Sequence, residues 1–284
     1  MYYETITTYE PNQRAKTGFL KSWIIMIKNI IMSRELIWQL FKRDFLNAYK
    51  KSFLGMAWIL ISPIIGIISW VFMNTTGLLN PGDVGIPYPA YVLLSSSIWG
   101  LFMDFYNAAV KTLDSGSSFI MQVKYPHEAL LAKETAQNIA AFLLSFTLNI
   151  IILICFGVTP SWKIVFFPIV IIPLFLLGAG IGLVVSLFNV VAVDMTKGFN
   201  LLLNLLMYVT PVIYSRKVDN EIIQTIMKYN PLTYLFGNVR DLIIYGTFDN
   251  VDRFIYSTIF AFVVFMISWR LFYISEDKVI EKMI

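Results

Sequence analysis

Residues 34–63, RELIWQLFKRDFLNAYKKSFLGMAWILISP, join a charged amphipathic helix directly to an uncharged apolar run. Leu36, Ile37, Leu40, Phe41, Phe45, Leu46 and Tyr49 recur at helical spacing, and Arg34, Lys42, Arg43, Lys50 and Lys51 fall largely between them. A helix of this kind lies in the membrane interface, its apolar face in acyl chains and its basic face toward headgroups or a protein. The apolar run that follows can only enter the hydrocarbon. The join therefore commits the chain to an integral membrane fold, with helix 33–51 lying along the surface from which the first span departs. Simple anchorage is the alternative role for that helix.

The remaining charges confirm the class by where they are absent. Charged residues make up 14% of the chain and hydrophobic ones 57%, against about 25% charged in soluble domains. Uncharged stretches cover 52–82, 84–103, 135–162, 164–193, 198–215 and 254–269. About 20 apolar residues cross a bilayer, which predicts six spans near 53–76, 87–106, 135–157, 164–188, 198–213 and 254–273. With an even number of spans, 16 of the 22 Lys and Arg residues share the side of both termini. Only Lys163, Arg216, Lys217, Lys228, Arg240 and Arg253 lie opposite, offset by nearby acids. The positive-inside rule then places both termini in the cytoplasm. The net charge of +4 is this topology signal and does not point to nucleic acid.

Several features exclude other classes. The first residues, MYYETITTYEPNQRAK, lack the short apolar core of a cleavable secretory signal. The lone Cys155 rules out a disulfide framework and reads as a small packing residue. Gly178, Gly182 and Ser186 repeat at small-xxx-small spacing, which lets membrane helices approach closely. No Walker A motif occurs, so the chain cannot hydrolyse ATP alone. His127, the single histidine, has no neighbours with which to bind a metal. Asp104 is expected to be hydrated, or paired with a base of the interface helix, and Asp194 to be structural.

Two connections are too long to be turns. Between spans two and three, a Gly-Ser break at 115–118 precedes a short apolar segment and Pro126, a helix-start residue. A short helix across the cytoplasmic face is expected, docking into a partner or packing back on its own helix ends. Between spans five and six, 219–229 and 231–244 read as two short helices broken at Asn230–Pro231. Neither can span, which suggests a re-entrant hairpin.

Residues 34–63, then IPYPAYVLLSSSIWGLF, VKYPHEALLA and KYNPLTYLFGNVRDLI, in this order, resemble the membrane subunit of ABC-2-type polysaccharide exporters. That family moves lipid-linked O antigen, capsular polysaccharide or teichoic acid out of the cytoplasm. The resemblance covers about 33–275, leaving 1–32 as a lead-in of open role and 33–284 as one transmembrane domain. It implies an all-α fold with the interface helix, a coupling helix after span two and extracytoplasmic re-entrant helices after span five. It also implies two copies of this chain with two copies of a separate nucleotide-binding ATPase, which would hold the ATP and Mg. This chain would bind no cofactor and be no enzyme. Contacts to the ATPase would come from Arg34, Glu35, Arg43 and Asp44, and from Phe119, Ile120, Met121, Lys124, Tyr125, His127 and Glu128.

A glycan needs a protein-lined path, because each sugar hydroxyl stripped of water without a partner costs several kcal/mol. Aromatic side chains offer sugars flat apolar faces. Trp70, Phe72, Met73, Tyr88, Tyr91, Met207, Tyr208 and Tyr214 are the lining candidates, with an interfacial aromatic belt as the alternative. Two other functions stay open: an ABC-2 exporter of another amphipathic lipid or drug, and a membrane-integral transferase on lipid-linked sugars. The scattered acids argue against the transferase.

Overall fold

Proline, glycine and short polar turns cut the apolar sequence into helices. The computed structural model describes residues 14, 16–50, 55, 57–120, 126–189, 192, 194–216 and 220–283, without the side chains of 48–50, 59, 60, 63, 113–120 and 276–283. In chain order the helices are α1 (Phe19–Met32), α2 (Arg34–Lys50), α3 (Ala57–Thr75), α4 (Tyr88–Ile120) and α5 (His127–Cys155). A 3-10 turn (Trp162–Phe166) leads into α6 (Phe167–Val170) and α7 (Ile172–Asn189). Then come α8 (Asp194–Tyr208), α9 (Glu221–Tyr229), α10 (Pro231–Ile244) and α11 (Val251–Met283). No strand occurs among the described residues.

Three helical stretches among the described residues are long and apolar enough to cross a membrane: His127–Cys155, Trp162–Asn189 and Val251–Ser275. Two of the other expected spans differ for identifiable reasons. Helix α4 is long enough, but Ser95, Ser96, Ser97, Gly100 and Asp104 dilute its apolarity. It tolerates them because it is the central helix, with Val92, Leu94, Ile98, Phe102 and Tyr106 all buried. Helix α8 has 15 residues, about 22 Å against a hydrocarbon core of about 30 Å. Helix α3 is apolar along its 19 residues, Ala57–Thr75.

Helix α7 is the keystone, packed between α4 and α11 through its glycines. A Cβ on Gly178 would lie 3.0 Å from the Phe102 carbonyl oxygen, and one on Gly182 only 2.3 Å from that of Tyr106. On the other face, a Cβ on Gly180 would lie 3.1 Å from Cα of Phe265 in α11. Backbones thus meet where the small-residue spacing predicts close approach. Pro168 and Pro173 sit in the first turns of α6 and α7. They lack an amide hydrogen for a continuing helix, so the expected fourth span is built in pieces.

The expected Gly-Ser break at 115–118 does not occur, since α4 continues through it to Ile120. Glycine costs a helix only about 1 kcal/mol and does not stop it. Residues 121–125 of the expected coupling segment lie outside the described residues. The lead-in is folded from Phe19 onward: Trp23 stacks on Trp269 at 5.3 Å and meets Phe265 edge-on at 5.6 Å, and Met26 is fully buried. Arg14 lies over the Tyr273 ring at 5.1 Å. Helix α1 therefore packs on α11 rather than standing apart. The pair expected between spans five and six forms, with Asn230 as its hinge. Its side-chain oxygen accepts from the Leu232 amide at 3.0 Å and its amide donates to Thr210 Oγ1 at 3.0 Å.

Candidate functional site

Chemistry collects at three places: both ends of the bundle and a cleft between them. At the first end, α2 lies against the start of α5. Leu36, Ile37 and Leu40 pack on Ala129 and Leu130, and Lys133 donates to Asp44 at 3.0 Å and to Glu134 at 2.6 Å. Partial burial opposes the Asp44 charge. Hydrogen bonds from Arg43 and Lys133, with their charges, outweigh it and hold the carboxyl below its usual range. From α1, Asn29 donates to Glu128 at 2.6 Å.

This arrangement sorts the residues expected to meet an ATPase. Glu35, Lys42 and Arg43 are exposed on α2, and Asp44 is half-buried beside Lys133. Arg34 is exposed but borders an apolar groove between α1, α2 and α5. His127 and Glu128 are buried, tying α5 into the bundle instead of facing outward. Phe119 and Ile120 end α4, their side chains outside the described set, and Met121, Lys124 and Tyr125 lie outside it altogether. A second face of α2 carries an aromatic ladder, Trp38 on Phe41 at 5.4 Å and Phe41 on Phe45 at 5.6 Å.

At the opposite end, α10 locks onto the start of α4 and onto residues 210–216. Arg240, buried on α10, lies over the Tyr91 ring at 4.6 Å and donates to the Tyr91 hydroxyl and to the Pro211 carbonyl at 2.9 Å. Tyr91 donates in turn to the Tyr214 carbonyl at 2.8 Å, and Tyr88 to that of Ile213 at 3.0 Å. Asp241 pairs with both Arg240 (3.3 Å) and Arg216 (3.5 Å), and Arg216 also pairs with Asp249. Gly237 leaves the room that the Arg216 guanidinium occupies. Tyr88 and Tyr91 are thus buried anchors within the chain. Trp70 meets Tyr208 edge-on at 6.1 Å, and Phe72 and Tyr208 are exposed. Met73, Met207 and Tyr214 are half-buried near them.

Between the two ends, α3, α4 and α5 leave a cleft of about 450 Å³. Trp58, Ser62, Ser96, Ser97, Asp104 and Ser145 line it, and Gly66 and Gly100 widen it. Asp104 lines this cleft and has no ion-pair partner among the described residues; Lys50 and Lys51 of the interface helix lie outside the described side chains. The cleft went unseen in the sequence, where SSS in α4 and single serines in α3 and α5 give no common signal.

Relatives agree with this architecture. The chain is 23% identical to the O-antigen export system permease protein RfbA of Myxococcus xanthus, over 76% of this chain and 83% of that protein. It is also 23% identical to the protein of the same name from Klebsiella pneumoniae, over 73% of this chain and 79% of that one. Both are named as transport permeases, in keeping with a non-enzymatic membrane subunit. Residues 35–244, from the first turn of α2 to the end of α10, match the ABC-2 type transporter family. A multi-pass helical membrane protein with a surface helix ahead of its first apolar helix and a capped helical pair before its last, the chain belongs to the ABC-2 type transporter family.

Proposed function

We propose that this chain is the membrane subunit of an ATP-driven exporter that carries a lipid-linked polysaccharide out of the cytoplasm. The observation that carries this reading is its colinear likeness, over about three quarters of its length, to two proteins named O-antigen export permeases. In this reading α3, α4, α5, α6–α7, α8 continued by the turn at 209–213, and α11 make six crossings of the bacterial plasma membrane, with both termini in the cytoplasm. The asymmetry of Lys and Arg supports that orientation. Two copies enclose the path, and two copies of a separate ATPase dock below, where Glu35, Lys42 and Arg43 lie exposed on α2.

ATP closes the ATPase pair, and the push on α2 and the segment after α4 shifts the bundle between two arrangements. The Asp44–Lys133 ion pair and the apolar contacts between α2 and α5 transmit that push as one rigid unit. Outside, α9 and α10 form the re-entrant pair that shapes the exit. Trp70, Phe72, Met73, Met207, Tyr208 and Tyr214 border the outer path. The lipid tail stays in the bilayer while the sugars travel along protein.

The test is export itself. Cells lacking this chain should accumulate lipid-linked polymer inside, and restoring it with its ATPase should return polymer to the surface. Vesicles carrying this chain without any ATPase should move none. Normal surface polymer in the deleted strain, with loss of export of another amphiphile, overturns the proposal.

A further inference from the structure

We infer that the α3–α4–α5 cleft is a sugar-binding station on the export path, with Asp104 and the serines around it accepting hydrogen bonds from glycan hydroxyls. This rests on the polysaccharide reading above and names the part of the cargo that the protein holds. The first observation is the donor–acceptor balance of the walls. Ser96 donates to the Val92 carbonyl at 2.6 Å and Ser145 to that of Phe142 at 3.0 Å. Hydroxyls committed to their own helices present only lone pairs to the cleft. Asp104 adds a carboxylate with no ion-pair partner within contact among the described residues, the charge of Lys111 acting on it from two turns along α4, and no Lys or Arg among the described residues lines the cleft. The surface is rich in acceptors and negative. It repels a phosphate and suits a neutral polyol, whose hydroxyls all donate.

The second observation is unused polar capacity in the interior. The Ser97 hydroxyl is buried and has no partner among the described residues. One turn beyond Ser145, on the same face of α5, Asn149 is fully buried with neither amide atom paired. Polar groups left so inside a membrane are expensive, and intramembrane acids mark transport paths. The third is shape. At about 450 Å³ the cleft is the size of small-molecule sites. Trp58 at its rim is 43% exposed and offers a flat ring face for the apolar side of a pyranose.

The experiment uses the full transporter, this chain with its ATPase partner in lipid vesicles, and lipid-linked polysaccharide purified from the cell envelope. Glycan-stimulated ATP hydrolysis is measured against glycan concentration. Asp104→Asn keeps the shape and removes the charge. It should raise the half-maximal glycan concentration about tenfold, the effect of losing one charge-assisted hydrogen bond. Asp194→Asn, in the first turn of α8, should leave that value unchanged. Independently, Ser62→Cys, at an exposed position of the cleft wall, in a Cys155→Ser background should react with a water-soluble maleimide, and glycan should slow the reaction severalfold. A wild-type glycan response that Asp104→Asn does not alter, or Ser62→Cys labelling indifferent to glycan, overturns the station and leaves the exporter intact. A wild-type complex that neither responds to glycan nor exports it overturns the exporter reading instead.

Discussion

Helices α7 and α8 follow one another in the chain, are both apolar, and have opposite fates. Eleven residues of α7 are buried, and its glycines bring it to backbone contact with α4 on one side and α11 on the other. Helix α8 buries Leu203 alone and exposes Leu201, Leu202, Leu205 and Tyr208. The difference lies in side-chain size. Gly178, Gly180 and Gly182 allow the close approach that drives association in lipid, where apolar surface by itself gives no reason for helices to meet. Bulky leucines on α8 fit lipid or another helix equally well. Helix α7 thus fixes the protomer. Helix α8 is held mainly at its ends, the far one through the turn that Arg240 and Tyr91 clamp.

Four substitutions probe that contrast, beginning with the clamp. Arg240→Ala leaves Asp241 short of a partner in a buried cluster and should cost about 3–5 kcal/mol, read as denaturant unfolding in micelles. Freeing the far end of α8 should also increase protease cleavage around residue 210, and unchanged cleavage would show that α8 is held elsewhere. Gly182→Val drives a side chain into the Tyr106 carbonyl and should cost about 3 kcal/mol. A Val tolerated there would deny α7 its keystone role. Asp44→Asn tests the charged end, where partial exposure limits the effect to about 1 kcal/mol. The Asp44 carboxyl is held below its usual range, so its pairing contributes fully above the unfolded pKa of about 4. That contribution should disappear as the pH falls below this toward the folded value, and the variant should lack this acid dependence. Leu205→Ala on α8 should shift protomer unfolding by no more than about 0.5 kcal/mol. The same change should weaken pairing of two copies, measured by mass photometry, if α8 faces a second chain; equal pairing would assign that face to lipid.

The helical pair at 221–244 was legible in the sequence because its signals are local. Asn230–Pro231 ends one helix and starts the next, and the structure places Asn230 as a cap on both. The Gly178–Gly182–Ser186 spacing likewise announced close packing, and the glycines make it. The Gly-Ser break in α4 was misread, because glycine permits a turn without requiring one. Tyr88 and Tyr91 looked like path residues by composition. Their partners are carbonyls more than 100 positions away, which no local pattern reveals. His127 and Glu128 were expected at a surface for the same reason, until α1 and α2 covered them.

The amino-acid sequence by itself determined that this protein is helical, lies in a membrane and carries an amphipathic helix ahead of its first apolar one. Those properties follow from the spacing of charges against the thickness of hydrocarbon, a comparison made one segment at a time. Only the tertiary structure decided that α4 is the central helix, that Arg240 closes the end opposite α2, and that scattered serines meet Asp104 in one cleft. Each depends on which helix faces come together, and in lipid that choice is made by shape and hydrogen bonding between distant segments.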